Sequence, residues 1–228
     1  MPSQKKQNES PRKTAKVLIV DDHPILRQGL AELIDHEEDL EVCAQAEDAN
    51  QALSAIKKMP PDIAIVDIAL KEASGVELIK DIKAQHPQLP VLALSMHEES
   101  LYAKRVLRAG AKGYIMKQEA TEDVIAAIRK VLTGQVYVSQ KMTEKLMYKL
   151  VGRTPEPASA VESLSDRELE VFLLIGKGHS TRQIADKLFL SIKTIETYRA
   201  HLKEKLALDG SAQLLQYAIQ WVNSHDNT

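Results

Sequence analysis

The 228-residue chain is 44% hydrophobic and 27% charged with a net charge of -2, a composition that excludes wholesale disorder and suits one large domain or two modest ones. No apolar run nears the ~18 residues of a membrane span, and the basic start MPSQKKQNESPRKTAK lacks the apolar segment and cleavage site of a secretory signal, so no membrane partner and a cytoplasmic setting are expected. A single cysteine, Cys43, excludes a disulfide framework and a thiolate metal site, and within LEVCAQA it reads as a small core residue.

Charge is distributed unevenly. Residues 1–16 carry five Lys/Arg against one acid, residues 17–135 thirteen against twenty, and residues 164–228 eight against eight. An acidic first part and a neutral second part do not by themselves predict nucleic-acid binding.

In chain order, residues 1–14 are polar and aperiodic and read as a disordered tail. Five short apolar runs follow: VLIV (17–20), LEVCAQA (40–46), DIAIVD (62–67), VLALS (91–95) and KGYIM (112–116). Their length and branched residues predict buried strands. Helix-like segments lie between and after them near 25–35, 49–58, 75–85, 98–109 and 121–132. Five strands alternating with five helices predict an α/β domain over 15–135, a parallel sheet covered on both faces. Residues 136–150 read as a short helix or an extended lead-in, and GRTPEPASAVES (152–163) reads as linker, so 136–163 joins the two domains. Past residue 164 no strand pattern returns. Ser165 with Glu168 makes a capping box and Leu164 with Leu169 the accompanying staple, so a helix runs from there to about Lys177 and stops at Gly178. Further helices are predicted at 181–189, from about Ile192 to Leu206, and at 211–222, giving a small all-α domain over 164–228.

The chemistry concentrates at strand carboxyl ends. Asp21 and Asp22 follow the first strand, Asp67 ends the third, Ser95 ends the fourth and Lys117 follows the fifth. A sheet of order 2-1-3-4-5 sets those ends side by side, where open sheets bind ligands. Three carboxylates in one place require a cation, and an oxygen-rich site of this size suits Mg2+. One carboxylate can then act as a nucleophile toward phosphorus, with the metal and Lys117 offsetting charge on the transferred group.

Residues 17–132 resemble response-regulator receiver domains, which are flavodoxin-like in fold, through VDDHPILRQGL, VDIALKEASG, ALSMHEE and GAKGYIMK and through the spacing of Asp67 from Gly75. The resemblance implies that Asp67 accepts the phosphoryl group and that Asp22 ligates Mg2+ directly. Asp21 would act through water, and the Ala69 carbonyl would complete the protein ligands. Ser95 and Lys117 would bind the phosphoryl oxygens, and Tyr114 would be the aromatic switch residue. The chain departs from many receivers at Lys71, where proline is common, and at Ala69 and Gln118.

On the predicted helix 192–206, Ile195, Tyr198, Leu202 and Leu206 form an apolar stripe, while Lys193, Glu196, Thr197, Ala200 and Glu204 face away from it. With the preceding short helix and the turn at 189–191 this fits a helix-turn-helix, though a plain helical bundle fits the periodicity equally well. The string LSDRELEVFLLIGKGHSTRQIADKLFLSIKTIETYRAHLKEKL (164–206) is similar to the LuxR-type helix-turn-helix, and a receiver joined to such a domain is the NarL/FixJ class. Glu196, Thr197 and Ala200 are placed against base edges, and Lys193, Thr194 and Lys203 against phosphates.

The expected function is a bacterial DNA-binding transcription factor, phosphorylated on Asp67 by a sensor histidine kinase or a small-molecule phosphodonor. It would act on double-stranded DNA as a homodimer through Leu214, Leu215, Ala218, Ile219 and Trp221 of the last helix. It would catalyse only its own phosphoryl uptake and loss. The alternatives are a phosphotransferase or phosphatase that turns over at Asp67, and a regulator that binds DNA without phosphorylation. Against the enzyme, no Gly-rich phosphate loop follows the first strand.

Overall fold

Continuous apolar runs separated by amphipathic segments give a five-stranded parallel sheet in the order β2-β1-β3-β4-β5. The computed structural model describes residues 14–70, 74–96, 99–150 and 160–225. The expected tail up to residue 13, Lys71 and residues 151–159 of the linker lie outside them. The strands are β1 (Ala15–Val20), β2 (Leu40–Ala46), β3 (Ile63–Asp67), β4 (Val91–Ser95) and β5 (Gly113–Met116). The helices of this domain are α1 (Pro24–Asp35), α2 (Ala49–Lys58), α3 (Gly75–Gln85), α4 (Glu99–Ala109) and α5 (Ala120–Leu132). β3 and β4 are buried at every position, which explains why they read as unbroken apolar runs and not as alternating ones.

Alternate residues serve the two faces of the sheet. Val17, Ile19, Ile63 and Ile65 pack under Leu30 and Ile34 of α1 and Val124 and Ile128 of α5. Leu18, Val20, Ala64 and Val66 pack under Ile56 of α2, Ile79 and Ile82 of α3, and Val106 of α4. The β1–β2 register slips between Val17 and Leu18, so that Cys43 faces no partner residue. Cys43 is therefore a half-buried residue at an irregularity on the edge strand, with its Sγ 3.4 Å from the Val17 carbonyl. The expected core position was read from its apolar neighbours, which carry no sign of a register slip.

Residues 136–150 turn out to be both extended and helical. Tyr137 bridges Gly113 in parallel, with Tyr114 N–H donating to the Tyr137 carbonyl at 2.8 Å and Tyr137 N–H to the Lys112 carbonyl at 2.9 Å. The free edge of β5 is thereby covered. Helix α6 (Gln140–Leu150) follows, anchored where Ser139 N–H donates to Glu99 of α4 at 2.7 Å and its hydroxyl also meets that carboxylate.

A short 3-10 turn (Ala160–Ser163) leads into α7 (Asp166–Gly176), α8 (Thr181–Leu188), α9 (Ile192–Lys205) and α10 (Ser211–His225). Ser165 and Glu168 form the capping box at the start of α7, with Leu164 and Leu169 both buried beside it. A second capping box, Ser180 with Gln183, starts α8. Gly178 follows α7 with φ +81, the left-handed turn that glycine adopts at least cost. Phe172, Ile184, Ile195, Leu202, Leu214 and Trp221 fill the core of this domain, with the Phe172 and Trp221 rings edge to face at 5.7 Å.

The apolar cluster beneath α2, α3 and α4 runs on through Val161 and Leu164 into the helical domain. Polar contacts line the same seam. Arg105 of α4 donates to the Leu164 carbonyl at 2.6 Å, the Val161 carbonyl at 3.3 Å and the Asp166 carboxylate at 3.1 Å. Lys80 of α3 also reaches Asp166, at 3.2 Å, and Lys104 reaches Glu162 at 3.4 Å.

Candidate functional site

The strand order reverses direction between β1 and β3, and the crevice beyond their carboxyl ends holds the acidic cluster. Asp21 and Asp67 are fully buried, and Asp22 and Lys117 nearly so. Lys117 Nζ lies 2.7 Å from Asp67 Oδ2 and 2.7 Å from Asp21 Oδ2, bridging the two strand ends. The Ala69 amide donates to Asp67 Oδ1 at 3.0 Å, which fixes the other carboxylate oxygen. Burial pushes the Asp67 carboxyl above the usual range, against the pull of the Lys117 ammonium and the Ala69 N–H. Burial also works against charge on Lys117, but the Asp67 and Asp21 carboxylates outweigh it and hold that ammonium above its ordinary value.

The oxygens of Asp21, Asp22 and Asp67 and a ring nitrogen of His23 all lie within 4.8 Å of one another. Three carboxylates compensated by a single buried lysine form a hard, anionic donor set, which fits a divalent cation such as Mg2+. Asp22 and Ala69 line the same cavity at the mouth of this site.

Ser95 is fully buried at the end of β4, and Tyr114 of β5 is turned inward at 1% exposure. Their side chains share a hydrogen bond; burial raises the Tyr114 phenol well above its ordinary value and that bond lowers it in part. The Lys117 amide donates to the Ser95 carbonyl at 2.7 Å, so the ends of β4 and β5 are held together beside Asp67.

Two residues of this site escaped the sequence reading. His23 Nδ1 sits 2.7 Å from Asp22 and 3.2 Å from Asp21, and Arg27 donates to the Asp21 carbonyl at 2.5 Å. His23 directly follows the acidic pair, which is the signal that could have found it. Arg27 is one helical turn further on, where only the start of α1 beneath the pair brings it back.

In the helical domain the residues placed against DNA divide by exposure. Lys193, Glu196, Thr197 and Ala200 are exposed on α9, while Thr194 and Lys203 are half-buried at its flanks. Ile195 and Leu202 are fully buried on the opposite side. The Thr197 hydroxyl donates to the Lys193 carbonyl at 3.1 Å. Thr194 Oγ1 is 2.8 Å from Ser191 Oγ and its amide takes the Ser191 cap. On α10 the structure separates the five residues expected at a dimer contact. Leu214, Ala218 and Trp221 are buried in the domain's own core, and only Leu215 and Ile219 are exposed, at 42% and 37%. The helix has one face for its own domain and a narrow one, a turn long, left over.

Comparison with known proteins agrees with this division. Residues 17–129 match the response regulator receiver domain, and residues 162–218 match the bacterial regulatory proteins of the luxR family. The oxygen regulatory protein NreC of Staphylococcus carnosus is 36% identical over 210 residues, spanning 90% of this chain and 97% of that one. NreC of Staphylococcus aureus strain MRSA252 is 35% identical over the same shares. RcsB from Salmonella enterica serovar Typhimurium, bound to the promoter rprA in the presence of phosphomimetic BeF3-, superposes with a TM-score of 0.62 at 28% identity, covering 90% of this chain and 98% of that one. A LuxR-family two-component response regulator from Aurantimonas sp. SI85-9A1 superposes with a TM-score of 0.57 at 31% identity, over 61% of this chain and 99% of that one. With an acidic crevice on a five-stranded receiver sheet, a capped helix-turn-helix after it and relatives that match across both, the chain belongs to the two-component response regulators of the NarL/FixJ class, a receiver domain joined to a LuxR-type DNA-binding domain.

Proposed function

We propose that this chain is a transcription factor of the bacterial cytoplasm, switched by transfer of a phosphoryl group to Asp67 from a sensor histidine kinase or a small phosphodonor, and acting on double-stranded DNA as a homodimer. The observation that carries the reading is the setting of Asp67: fully buried, one oxygen held by the Ala69 N–H and the other 2.7 Å from Lys117. In the transfer an Asp67 oxygen attacks phosphorus, a P–O bond to the carboxylate forms, and the bond to the donor breaks with its electron pair leaving on the donor. Asp22, Asp67 and the Ala69 carbonyl would hold Mg2+, with Asp21 acting through water, and the bound ion would offset charge on the phosphoryl oxygens. Lys117 exchanges its contact with the Asp67 carboxylate for one with a phosphoryl oxygen, and the Ser95 hydroxyl takes another. Because Ser95 also bonds Tyr114, its reorientation is felt on the β5 side of the receiver, next to Glu99 and the α6 lead-in. The chain's own catalysis is limited to phosphoryl uptake and loss.

Glu196, Thr197 and Ala200 are assigned to base edges, and Lys193, Thr194 and Lys203 to phosphates. RcsB, a relative described on promoter DNA with a phosphomimetic and as dimers bound to DNA, supports the coarser reading of DNA binding by a dimer. Incubation with acetyl phosphate and Mg2+ tests the reading. Stable labelling at one phosphoryl per chain, lost in Asp67→Asn, is the expected result. Rapid multiple turnover with released phosphate would make the site an enzyme's, and absence of labelling would leave a regulator that binds DNA without phosphorylation.

A further inference from the structure

The acidic crevice borders a partly open cavity that both domains line. Asp22 and Ala69 of the receiver share a cavity of about 230 Å³ with Lys177 and Lys187 of the helical domain, and Ile68 and Leu173 line it as well. The other cation lining this cavity, Arg167, is spent on Glu170 at 2.8 Å. The side chains of Lys177 and Lys187 are exposed and make no ion pair or hydrogen bond among the described residues.

We infer that Lys177 and Lys187 of the DNA-binding domain complete the phosphoacceptor site, capturing small anionic phosphodonors at its mouth and positioning them toward Asp67. This rests on the reading of Asp67 given above. The receiver segment 17–135 carries thirteen basic residues against twenty acidic ones, and three carboxylates stand at the crevice itself, so a donor that is an anion meets a repulsive field on approach. Two unpaired ammonium groups on the facing wall reverse the sign of that field where the donor must pass. The cavity's size adds a selection of its own: about 230 Å³ holds an acyl phosphate or a phosphoramidate but no protein side of a phosphotransfer complex. With the seam closed, small donors enter past the lysines, whereas a protein donor requires the two domains to part.

Both lysines stand at helix C-termini, Lys177 as the C-cap of α7 and Lys187 in the last turn of α8, where positive charge also offsets the helix dipole. That role affects melting temperature and leaves donor affinity alone, so the two are separable. The test measures initial rates of phosphorylation of the full-length chain with acetyl phosphate and with phosphoramidate, for the unsubstituted protein, Lys177→Ala, Lys187→Ala, the double variant, and Lys187→Arg. The double variant is expected to raise KM for both donors by up to roughly tenfold, the lower end of charge-focused capture, with kcat little changed. The difference should shrink at high salt, and Lys187→Arg should keep the lower KM. An unchanged KM in the double variant, with Asp67 still labelled at saturating donor, would overturn the inference and spare the reading of Asp67. A lower KM would overturn it in the other sense, making the lysines a barrier. Failure of the unsubstituted chain to label with either donor would remove the Asp67 reading and this inference with it.

Discussion

At Gly75 there is no room for a methyl group: a Cβ there would lie 2.0 Å from the Asp67 carbonyl oxygen and 2.5 Å from Ile68 Cα. Helix α3 begins directly against the end of the strand that carries Asp67, with the Gly75 amide donating to the Ile68 carbonyl at 3.0 Å. Gly75→Ala is expected to cost about 2–4 kcal/mol, as overpacking against backbone does, measured by urea unfolding with unchanged m-value. A loss below about 0.5 kcal/mol would mean that the strand end yields freely. On α9, Thr197 has its hydroxyl tied to the Lys193 carbonyl, and under the proposed reading its methyl would be the group that meets a thymine. Glu196→Ala should relax preference at one base pair per half-site and cost about 1–3 kcal/mol on the preferred sequence. Lys203→Ala should instead weaken binding to all sequences and flatten the salt dependence by roughly one unit. Selection of bound fragments by each variant checks both; an unchanged selected sequence with Glu196→Ala would take α9 out of base reading. The aspartates and Lys117 were legible as a set and not one by one, because several apolar runs each end on such a residue. His23 and the Lys177–Lys187 pair were not, since the first looks like a helix start and the second meets the crevice only through the packing of two domains.

Helix ends decide much at the scale of the element. Ser165 accepts from the Glu168 amide at 3.3 Å while Glu168 accepts from the Ser165 amide at 2.7 Å and from Lys205 of α9 at 2.7 Å. One carboxylate thus starts α7 and ties it to α9. Ser165→Ala should cost about 1 kcal/mol as a lost cap. Glu168→Ala should cost about 1–3 kcal/mol, because two backbone and side-chain donors lose a charged acceptor. Burial raises the Glu168 carboxyl, but Lys205 and the Ser165 donors outweigh it and leave it below its ordinary value. A depressed carboxyl stabilises the fold fully above its unfolded value, and that contribution disappears as pH falls through the folded one. Melting followed downward from neutral pH should therefore show a loss at acid pH that Glu168→Gln flattens; parallel curves for the two proteins would contradict it. The capping box was readable because its spacing is a local rule. The Glu168–Lys205 tie spans 37 residues, and no local rule reaches that far. The same limit applies to α10, where hydrophobicity marked five residues and only packing could tell the three used internally from Leu215 and Ile219.

Across the whole molecule, α4 links the two domains. Its first turn holds Ser139 through Glu99, and Arg105 holds three groups of the 161–166 segment. Sequence periodicity marked a change from α/β to all-α past a linker ending at residue 163, because no strand pattern returns there, but it carries no information on how one domain lies on the other. Arg105→Ala removes a charge-assisted bond to a carboxylate at 14% exposure and two carbonyl contacts, a loss of about 1–3 kcal/mol at the seam. Small-angle scattering should then report a larger radius of gyration at unchanged far-UV circular dichroism; an unchanged radius would place the hold between domains in the apolar cluster alone. The most direct measurement is the affinity of the full-length chain for a selected DNA fragment, by fluorescence anisotropy at fixed salt, before and after phosphorylation, alongside Asp67→Asn treated identically. Phosphorylation should tighten binding by roughly fivefold to a hundredfold, the span of ordinary coupling between two sites, and Asp67→Asn should show no gain. Equal affinity before and after stoichiometric phosphorylation, or an equal gain in Asp67→Asn, would contradict a switch seated at Asp67.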